Sequence, residues 1–339
     1  MASPQLRQVP PVWLDRPRPD DARAMVAAMR DPAVSGWLSA VPAAYGPDAA
    51  AEYIDTAGPG DHVIRIGGDL VGGIRADRSL GIWVAPQWQG RGIARRAAVL
   101  GLTRAFADGA VEVTASYHIG NDRSARLLAW LGFGDPVQAS APMRAWGGAM
   151  RPVMQLRLTR DDFAARHAFG FITDRLAVSP ATPDDLPALL RIVTRPEVAR
   201  MLIVFRPGMG IADLAPHFPP AAILPPLRLA ARMGAEIVGS IGIGRPLRDA
   251  SAPVFYFLDP ASAGQGLASE MLAGLLAEAD ARFGPAPYLA EVFTDNPASR
   301  RVLEKSGFQV IEDLLGMISI ARDAPAPGWL MRREPPAQS

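Results

Sequence analysis

Two glycines separated by one arginine follow an apolar segment in "LGIWVAPQWQGRGIARRA". Each glycine weakens a helix interior by about 1 kcal/mol relative to alanine, and a turn needs at most one of them. The segment predicts a strand, a loop with Gly90 and Gly92, and a helix that begins near Ile93. The first amides of such a helix lack partners, and backbone without Cβ atoms lets an anion approach them. Because Arg91 adds a positive charge, the pattern predicts that main chain binds a phosphate or diphosphate.

The glycine pair is also compatible with a plain strand-to-helix turn, in which Gly-x-Gly is common. A dinucleotide fingerprint needs a third small residue three positions on and an acid roughly 20 residues later. Arg95 holds that third position, Ser269 holds it in a second, matching loop, and no Gly-Lys-Ser/Thr ending is present. A dinucleotide or nucleoside triphosphate site is therefore the weaker interpretation.

The second loop belongs to an internal repeat that runs through the whole sequence. Four segments return in the same order, with an offset that grows from 164 to 175 residues: 16–34 as 180–198, 70–74 as 237–241, 81–94 as 255–268, and 121–133 as 296–308. Collinear similarity of this kind predicts two copies of one domain with small loop insertions. We expect the domains at 1–165 and 166–339, with the boundary within 160–174.

Composition excludes several classes of function. The 339 residues are 49% apolar and 20% charged with a net charge of +1, so two globular domains are expected, and no overall charge attracts the protein to nucleic acid or a membrane. There is no cysteine, the four histidines lack metal-ligand spacing, and no metal is expected. No apolar stretch reaches 18 residues and residues 1–15 do not resemble a secretion signal, so a cytoplasmic monomer or homodimer is expected.

The elements needed to position the loops follow from apolar periodicity, and they match between the copies. Each copy starts with a short strand and an Asp-Asp helix start, followed by a hairpin, a strand, the glycine loop with its helix, another strand and a last helix. Strands and helices alternate only in part, which favours an α/β (α+β) fold with a mixed, mostly antiparallel twisted sheet flanked by helices. The proline-rich segment 206–226 is expected to be a surface excursion.

A partner motif lies at a matching distance from each glycine loop. Asn121 follows Gly92 by 29 residues and Asn296 follows Gly266 by 30; each is followed by Ser three positions later and by Gly-Phe eleven positions later. The combination of Gly-x-Gly-x-Ala, Asn-x-x-Ser and Gly-Phe resembles the GNAT acyltransferase superfamily, in particular the branch with the ribosomal-protein N-terminal acetyltransferases. The resemblance spans nearly the whole sequence.

This resemblance implies that the ligand is acetyl-CoA, bound in a cleft between two splayed strands, with its diphosphate on the amides of Gln89 to Ala94. Strand-edge groups near Trp83 and Val84 would pair with the pantetheine arm. Asn121 would bond that arm or hold the loop. The implied cofactor-binding residues are Trp83, Val84, Gln89, Gly90, Arg91, Gly92, Ile93, Ala94, Asn121 and Ser124 in the first copy, and Leu258, Gly264, Gln265, Gly266, Leu267, Ala268, Asn296 and Ser299 in the second.

The catalytic roles that the resemblance implies are oxyanion stabilisation, proton removal from the amine and protonation of the leaving thiolate. We assign the Val84 amide to the first role. Many family members protonate the thiolate with a Tyr, but Leu128 and Leu303 hold that slot, so Ser124 is the expected substitute. His118 ends the strand "VEVTASYHI" on its polar face and is the candidate base, although a solvated polar face is the more common explanation of such a pattern. In the second copy Glu291 is either a base or a surface residue.

The two copies are not equivalent, because Ala263 and Gln265 replace Gln89 and Arg91. The first domain is the better candidate acyl-CoA binder, and the second either uses another acceptor or shapes the acceptor cleft. The predicted function is an acetyl-CoA-dependent N-acetyltransferase in which a primary amine attacks the thioester directly in a ternary complex. A non-catalytic acyl-CoA-binding sensor or assembly module is the alternative. The acceptor, a small-molecule amine or a peptide N-terminus, is not legible from the sequence.

Overall fold

The computed structural model describes residues 12–42, 44–219, 222–247 and 251–335. It divides into two compact units between His167 and Ala168, two residues from the predicted boundary. No helix within the described ranges is long and apolar enough to cross a membrane.

The described strands of the N-terminal unit form one seven-stranded sheet in the order β1-β2-β3-β4-β5-β7-β6. All neighbours are antiparallel except β4 and β5, which are parallel. The strands are β1 Trp13–Asp15, β2 Asp61–Ile66, β3 Asp69–Ala76, β4 Ser79–Val84, β5 Glu112–His118, β6 Gly134–Met143 and β7 Ala149–Thr159. The α-helices are α1 Ala22–Met29, α2 Pro32–Ser35, α3 Pro47–Thr56, α4 Ile93–Ala107, α5 Asp122–Leu131 and α6 Arg160–His167.

The C-terminal unit repeats this topology in an eight-stranded sheet of order β14-β15-β13-β12-β11-β10-β9-β8, with β12 and β13 parallel. Its strands are β8 Phe171–Ile172, β9 Ala177–Pro180, β10 Leu227–Met233, β11 Glu236–Ile243, β12 Ala252–Leu258, β13 Tyr288–Phe293, β14 Gln309–Met317 and β15 Ala326–Arg333. Its α-helices are α7 Leu186–Val193, α8 Pro196–Ala199, α9 Ile211–Leu214, α10 Leu267–Phe283 and α11 Pro297–Lys305. The predicted mixed, mostly antiparallel α/β fold in two copies is confirmed.

Apolar side chains cover both faces of the C-terminal sheet, and each strand contributes to both by alternation. Leu272 of α10 and Leu303 of α11 pack on one face with Val254 and Tyr256 of β12. Helices α7 and α9 pack on the other face, together with Phe257. Adjacent residues of β12 therefore serve different layers: Tyr256 points toward α10 and α11, and Phe257 points toward α7 and α9.

Two expectations about local structure need correction. The segment 206–226 is more than a surface excursion, because Leu214, Phe218 and Ile223 are buried and α9 lies within it. The sequence patterns also indicated no hairpin after the Gly-Phe motifs. The structure places there the hairpins β6–β7 and β14–β15, each of which extends its sheet beyond the parallel pair.

Candidate functional site

A gap opens between the two parallel strands in the middle of the N-terminal sheet. Strands β4 and β5 pair only at Ser79 with Thr114 and at Leu80 with Ala115. Beyond this point β4 continues to pair with β3 as far as Val84, and β5 continues to pair with β7 as far as His118. Each strand is held on its outer side, so their facing edges diverge and form the predicted cleft.

The direction of the main-chain groups along β4 decides which of them face this gap. The amide of Ala85 donates to the carbonyl of Val71 on β3, at 2.9 Å. Because N–H groups alternate between the two edges of a strand, the amide of Val84 points to the opposite edge, into the gap. The same alternation turns the main chain of Trp83 toward Gly73 of β3, so Trp83 offers no main-chain donor to the gap.

The glycine loop connects the wide end of this gap to α4. Gly90 and Gly92 have φ values of 75° and 77°, the left-handed region that favours glycine, and Gly92 is the residue that precedes the first turn of α4. The first helical hydrogen bond of α4 runs from the Arg96 amide to the Gly92 carbonyl, so the amides before it have no partner within the helix. The amide of Gln89 is already bonded to Pro86, and the available donors therefore start at Gly90.

Arginines surround the N-terminus of α4. Arg91 is exposed and stacks on Trp88, with its guanidinium carbon 5.1 Å from the ring centroid. Arg95 stacks on Trp130 at 4.9 Å, and Arg96 follows it in the first turn. Cations at this end of a helix are unfavourable for the helix dipole, so their presence here indicates that the loop is suited to an anionic group.

Gln89 ties the loop to the strand and to the next helix. Its Nε2 donates to the Val84 carbonyl at 2.8 Å, and its Oε1 accepts from the guanidinium of Arg123 on α5. The side chain of Gln89 therefore fixes the distance between the main chain that faces the gap and the anion-binding turn. Arg123 belongs to none of the sequence motifs, and only the fold reveals its contact with the loop.

The Asn-x-x-Ser motif forms the start of α5. The Asn121 side-chain oxygen accepts from the Ser124 amide at 3.2 Å, which caps the helix. Of its two suggested roles, holding the local backbone is the one that the structure shows directly. The hydroxyl of Ser124 makes no hydrogen bond within the part of the protein that the structure describes, and its residue is partly exposed.

His118 ends β5 on the expected face, but it is buried, with 5% exposure, rather than solvated like Thr114 and Ser116. Its Nε2 lies 2.9 Å from the hydroxyl of Ser39, and its Nδ1 has no partner among the described residues. Burial, and secondarily the charge of Arg151, lower the pKa of His118, so the imidazole is neutral at pH 7. Ser39 is partly exposed and precedes α3. Because it lies far from every motif in the sequence, its contact with His118 could not be predicted.

The C-terminal domain has the same backbone at its glycine loop but different charges. Gly264 and Gly266 have φ values of 78° and 77°, and Leu267 and Ala268 begin α10 as expected. Arg175 donates to the Gln265 carbonyl at 2.9 Å and forms an ion pair with Glu270 in the first turn of α10 at 2.6 Å. The arginine here already has a protein carboxylate as its partner.

The cleft of the C-terminal domain has the same main-chain features as the first, but one side chain next to the helix differs. Its parallel strands separate after Pro253, and alternation from the Asp259 amide turns the amide of Leu258 into the gap. Asn296 caps α11 through the Ser299 amide at 3.1 Å. The hydroxyl of Tyr256 lies 2.8 Å from the Ser299 hydroxyl, so a side chain from β12 reaches the first turn of α11. At the matching position of β4 the N-terminal domain has Ile82.

Three further residues lie at positions that the sequence marked for catalysis. Glu291 is exposed on β13, and nothing in its surroundings distinguishes a base from a surface carboxylate. Leu128 and Leu303, in the slot of the family's tyrosine, are both buried. No group of three or more His, Asp or Glu side chains in the described ranges could hold a metal ion.

Comparisons with known proteins agree with this architecture. The family model described as the acetyltransferase (GNAT) domain matches residues 12–134 and again 175–309. No curated protein sequence gives a significant match.

Solved structures that resemble this protein match about one half of it. An acetyltransferase (GNAT family) from Bacillus anthracis has 15% identity and a TM-score of 0.44, over 49% of this protein and 98% of that one. RimJ from Mycobacterium smegmatis, in complex with CoA-disulfide, has 20% identity and a TM-score of 0.39 over 47% and 81%. A spermidine N-acetyltransferase from Vibrio cholerae, in complex with CoA and spermine, has 14% identity and a TM-score of 0.43 over 48% and 97%.

The two matches to the family model together span most of the sequence, and each includes the glycine loop and the strands of one unit up to the second strand of its parallel pair, β1 to β5 and β9 to β13. The protein therefore belongs to the GNAT family of acetyltransferases and contains two copies of its domain.

Proposed function

We propose that the N-terminal domain transfers the acetyl group of acetyl-CoA to a primary amine, by direct attack of the amine within a ternary complex. One observation carries the proposal. The inward-facing amide of Val84 and Gly90, the first glycine of the loop before α4, lie at the two ends of the five-residue segment 85–89, at the open end of the gap.

The residues present suit acetyl-CoA as co-substrate. The amides from Gly90 to Ala94 and the charge of Arg91 would hold its diphosphate, since helix N-termini bind such groups with main-chain donors. The unpaired edges of β4 and β5 would pair with the amides of its pantetheine arm as an added strand does. Bound in this way, acetyl-CoA supplies an activated acyl group as a thioester.

Groups of the protein would then stabilise the developing negative charge and transfer the protons. The Val84 amide donates to the carbonyl oxygen as negative charge develops on it, a contribution of about 3 kcal/mol for comparable donors. His118 is neutral and bonded to the partly exposed Ser39, so it accepts the proton that the amine loses, with the Ser39 hydroxyl as the link. The unbonded hydroxyl of Ser124 relays a proton to the thiolate as the C–S bond breaks, and the serine takes its replacement from the solvent to which it is partly exposed.

For the C-terminal domain the alternative function, a domain without acetyl transfer, has a specific observation in its favour. The bond between Tyr256 and Ser299 engages the serine hydroxyl that Ser124 leaves available in the first copy. Arg175 is engaged by Glu270, and the position of His118 is held by Phe293, which has no proton to exchange. We therefore place acetyl transfer in the N-terminal domain alone.

The test is release of free thiol from acetyl-CoA by the full-length protein, with small amines, amine-bearing antibiotics and peptides with free N-termini as acceptors. We expect turnover with at least one class. Gly92→Glu should abolish it, because a carboxylate then occupies the anion site. Gly266→Glu is the matched control: both glycines have a φ of 77° and precede a helix, so backbone strain is equal.

The outcomes separate the alternatives. Equal loss of turnover in both variants would show that strain or instability, rather than the N-terminal site, was tested. Loss in Gly266→Glu alone would reverse the assignment of the domains. Calorimetric binding of CoA without turnover for any acceptor would establish the non-catalytic module instead.

A further inference from the structure

An arginine without an acidic partner among the described residues lies in an aromatic enclosure in the C-terminal domain. The guanidinium carbon of Arg228, on β10, is 4.1 Å from the ring centroid of Phe255, 5.0 Å from that of Phe205 and 5.8 Å from that of Phe218. Phe205 and Phe218 are buried, and Phe255 is partly buried. Three rings therefore surround one cation.

The backbone is arranged to allow this contact. Arg228 pairs with Gly242 of β11, which in turn pairs with Phe255 of β12, so arginine and ring are two strands apart, about 10 Å. A Cβ on Gly242 would lie 2.3 Å from the Phe255 ring and 2.2 Å from the Leu227 carbonyl. The absence of a side chain at Gly242 lets the guanidinium pass over β11 and reach the ring.

The aromatic contacts leave the hydrogen-bonding groups of Arg228 unused. A guanidinium has five N–H donors, and stacking on a ring satisfies none of them. Within the described ranges, no carboxylate forms an ion pair with Arg228 and no acceptor hydrogen-bonds to it. Burial lowers the pKa of Arg228 to about 10, which leaves it charged at pH 7. A charge withdrawn from water without a partner is costly, so a residue of this kind needs a reason other than packing.

Water still reaches the guanidinium, and the imidazole of His217 contacts one of the same rings. Arg228 is only partly buried, and none of its nitrogens is among the sealed, unpartnered atoms. The ring of His217 is centred 5.0 Å from that of Phe205, the same ring that Arg228 contacts. His217 is also partly exposed, and the charge of Arg228 contributes to its lowered pKa after burial. Both side chains contact the ring of Phe205, and each has an N–H group that can donate a hydrogen bond.

At the matching position of the N-terminal domain, the buried charge has a partner within the protein. There the register places Asp61 at the position of Arg228 and Arg75 at the position of Gly242, and the two form a bidentate pair at 3.0 and 2.9 Å. In the first copy, the two charged side chains pair with each other inside the protein. In the second copy, Arg228 has no acidic partner among the described residues, and glycine at position 242 leaves no side chain over it.

We propose that Arg228 and His217, backed by Phe205, Phe218 and Phe255, form a binding site for the carboxylate or phosphate group of a small molecule. The anion accepts hydrogen bonds from the guanidinium, and the rings shield the pair from water, which strengthens it. The site lies on the side of the sheet covered by α7 and α9, opposite α10 and its glycine loop. It does not depend on the acetyl transfer proposed for the N-terminal domain.

The experiment titrates the full-length protein at low chloride and pH 7.5 with sodium phosphate in one series and sodium succinate in another. The imidazole proton resonances of the four histidines report binding, and His217→Asn identifies the relevant peak. We expect a saturable shift of the His217 resonance in one or both series, without a matching shift of His62, His118 or His167. Whichever series saturates at lower concentration identifies the group that the site prefers.

Variants decide whether Arg228 is responsible. Arg228→Met keeps the length of the side chain and should raise Kd at least tenfold, whereas Arg228→Lys keeps the charge and should bind with intermediate affinity. Arg206→Met, which removes an exposed arginine of the same domain, should bind like the wild type. The proposal is overturned if neither anion gives a saturable shift, or if Arg228→Met binds as tightly as the wild type. Circular dichroism of each variant distinguishes lost binding from lost structure, and Arg228→Lys remains decisive if Arg228→Met does not fold.

Discussion

The two domains share a backbone and differ in where their charges find partners. At the start of the helix after the glycine loop, the N-terminal domain has Arg91, Arg95 and Arg96, whereas the C-terminal domain has Gln265, Ser269 and Glu270. On the inner strands the contrast is the opposite one. In the N-terminal domain Asp61 is paired with Arg75, whereas in the C-terminal domain Arg228 has no acidic partner within the described residues. Within the described ranges, the arginine without an acidic partner is Arg91 at the loop in one copy and Arg228 on the opposite face of the sheet in the other.

This difference shows how one backbone accommodates two different sets of charged side chains. Backbone features of the loop, the positive φ values and the capped Asn-x-x-Ser helix, persist in both copies because they satisfy the backbone's own hydrogen bonds. Side-chain features are free to diverge, since a protein carboxylate such as Glu270 neutralises an arginine as well as a ligand does. Where a partner is missing inside the protein, a ligand is the expected one.

The largest effect is expected at the strand end that holds His118 in one copy and Phe293 in the other. His118→Gln should lower kcat/KM by a factor on the order of 10², a typical contribution of general base catalysis. In the wild type, burial lowers the pKa of His118, and the proposed mechanism requires the neutral imidazole. The rate should therefore rise with pH through a pKa below 6.5 and stay level across neutral pH.

The control for this experiment is Ser39→Ala, which removes the hydroxyl bonded to Nε2 and leaves the imidazole in place. It should slow the reaction less than His118→Gln and shift the acid limb of the profile. A His118→Gln protein with full activity would remove the functional distinction between the two strand ends. Measurements of initial rate between about pH 5 and 8 cover the range in which an imidazole titrates.

The next effect concerns stability and contrasts Asp61 with Arg228. Asp61 is buried and accepts from Arg75 and from the Gly58 amide at 2.9 Å. Asp61→Ala should lower the free energy of unfolding of its domain by about 2 to 3 kcal/mol, because charged hydrogen bonds are lost and an amide is left without its acceptor. Arg228→Met should change that of the C-terminal domain by less than about 1 kcal/mol, because no such partner is lost.

Denaturant unfolding can assign these changes to a domain. Six of the seven tryptophans lie before residue 168 and only Trp329 follows it, so tryptophan fluorescence reports mainly on the N-terminal domain, and circular dichroism reports on both. A large loss of stability in Arg228→Met would indicate a structural arginine and would weaken the proposed anion site.

A smaller effect is expected when the loop of the second copy is placed in the first. The double variant Gln89→Ala, Arg91→Gln should raise KM for acetyl-CoA about tenfold, since one charge-assisted contact and the tether to Val84 are lost, roughly 1.4 kcal/mol together. The main-chain donors remain, so kcat should fall less than in Gly92→Glu. An unchanged KM would show that backbone alone determines affinity, and the two loops would then be equivalent.

The parts of this structure that sequence predicts are those with local signals. The strand before each glycine loop, the helix starts near Ile93 and Leu267 and the Asn caps all follow from turn and capping chemistry within a few residues. The collinear repeat revealed the duplicated fold. The hairpins β6–β7 and β14–β15 gave weaker signals, because β6 and β14 are exposed along most of their length and lack the regular apolar alternation of a half-buried strand.

Contacts between residues that are distant in the sequence could not be predicted, because no local pattern encodes them. His118 and Ser39 are 79 positions apart, and Tyr256 and Ser299 are 43 apart, so only the completed fold brings them together. Arg228 gave no signal because its distinguishing property is the lack of a partner among the described residues. Alternation did place His118 on the correct face of its strand, but it could not show that the loop containing Ser39 covers that strand end.

The smallest effect is a change in the pKa of His217. Burial, and secondarily the charge of Arg228, lower this pKa. Arg228→Met removes the second cause and leaves the first, so the pKa should rise without reaching its ordinary value of about 6.5. Saturating phosphate or succinate should raise the same pKa in the wild type, because a nearby anion favours the protonated imidazole, and should have no effect in Arg228→Met. Titration of the His217 resonance by NMR measures both shifts, with His62 as an internal control in the other domain. A pKa that is identical in wild type and Arg228→Met would mean that the two side chains do not act on the same space, and the C-terminal domain would then lack the feature that sets it apart from the first copy.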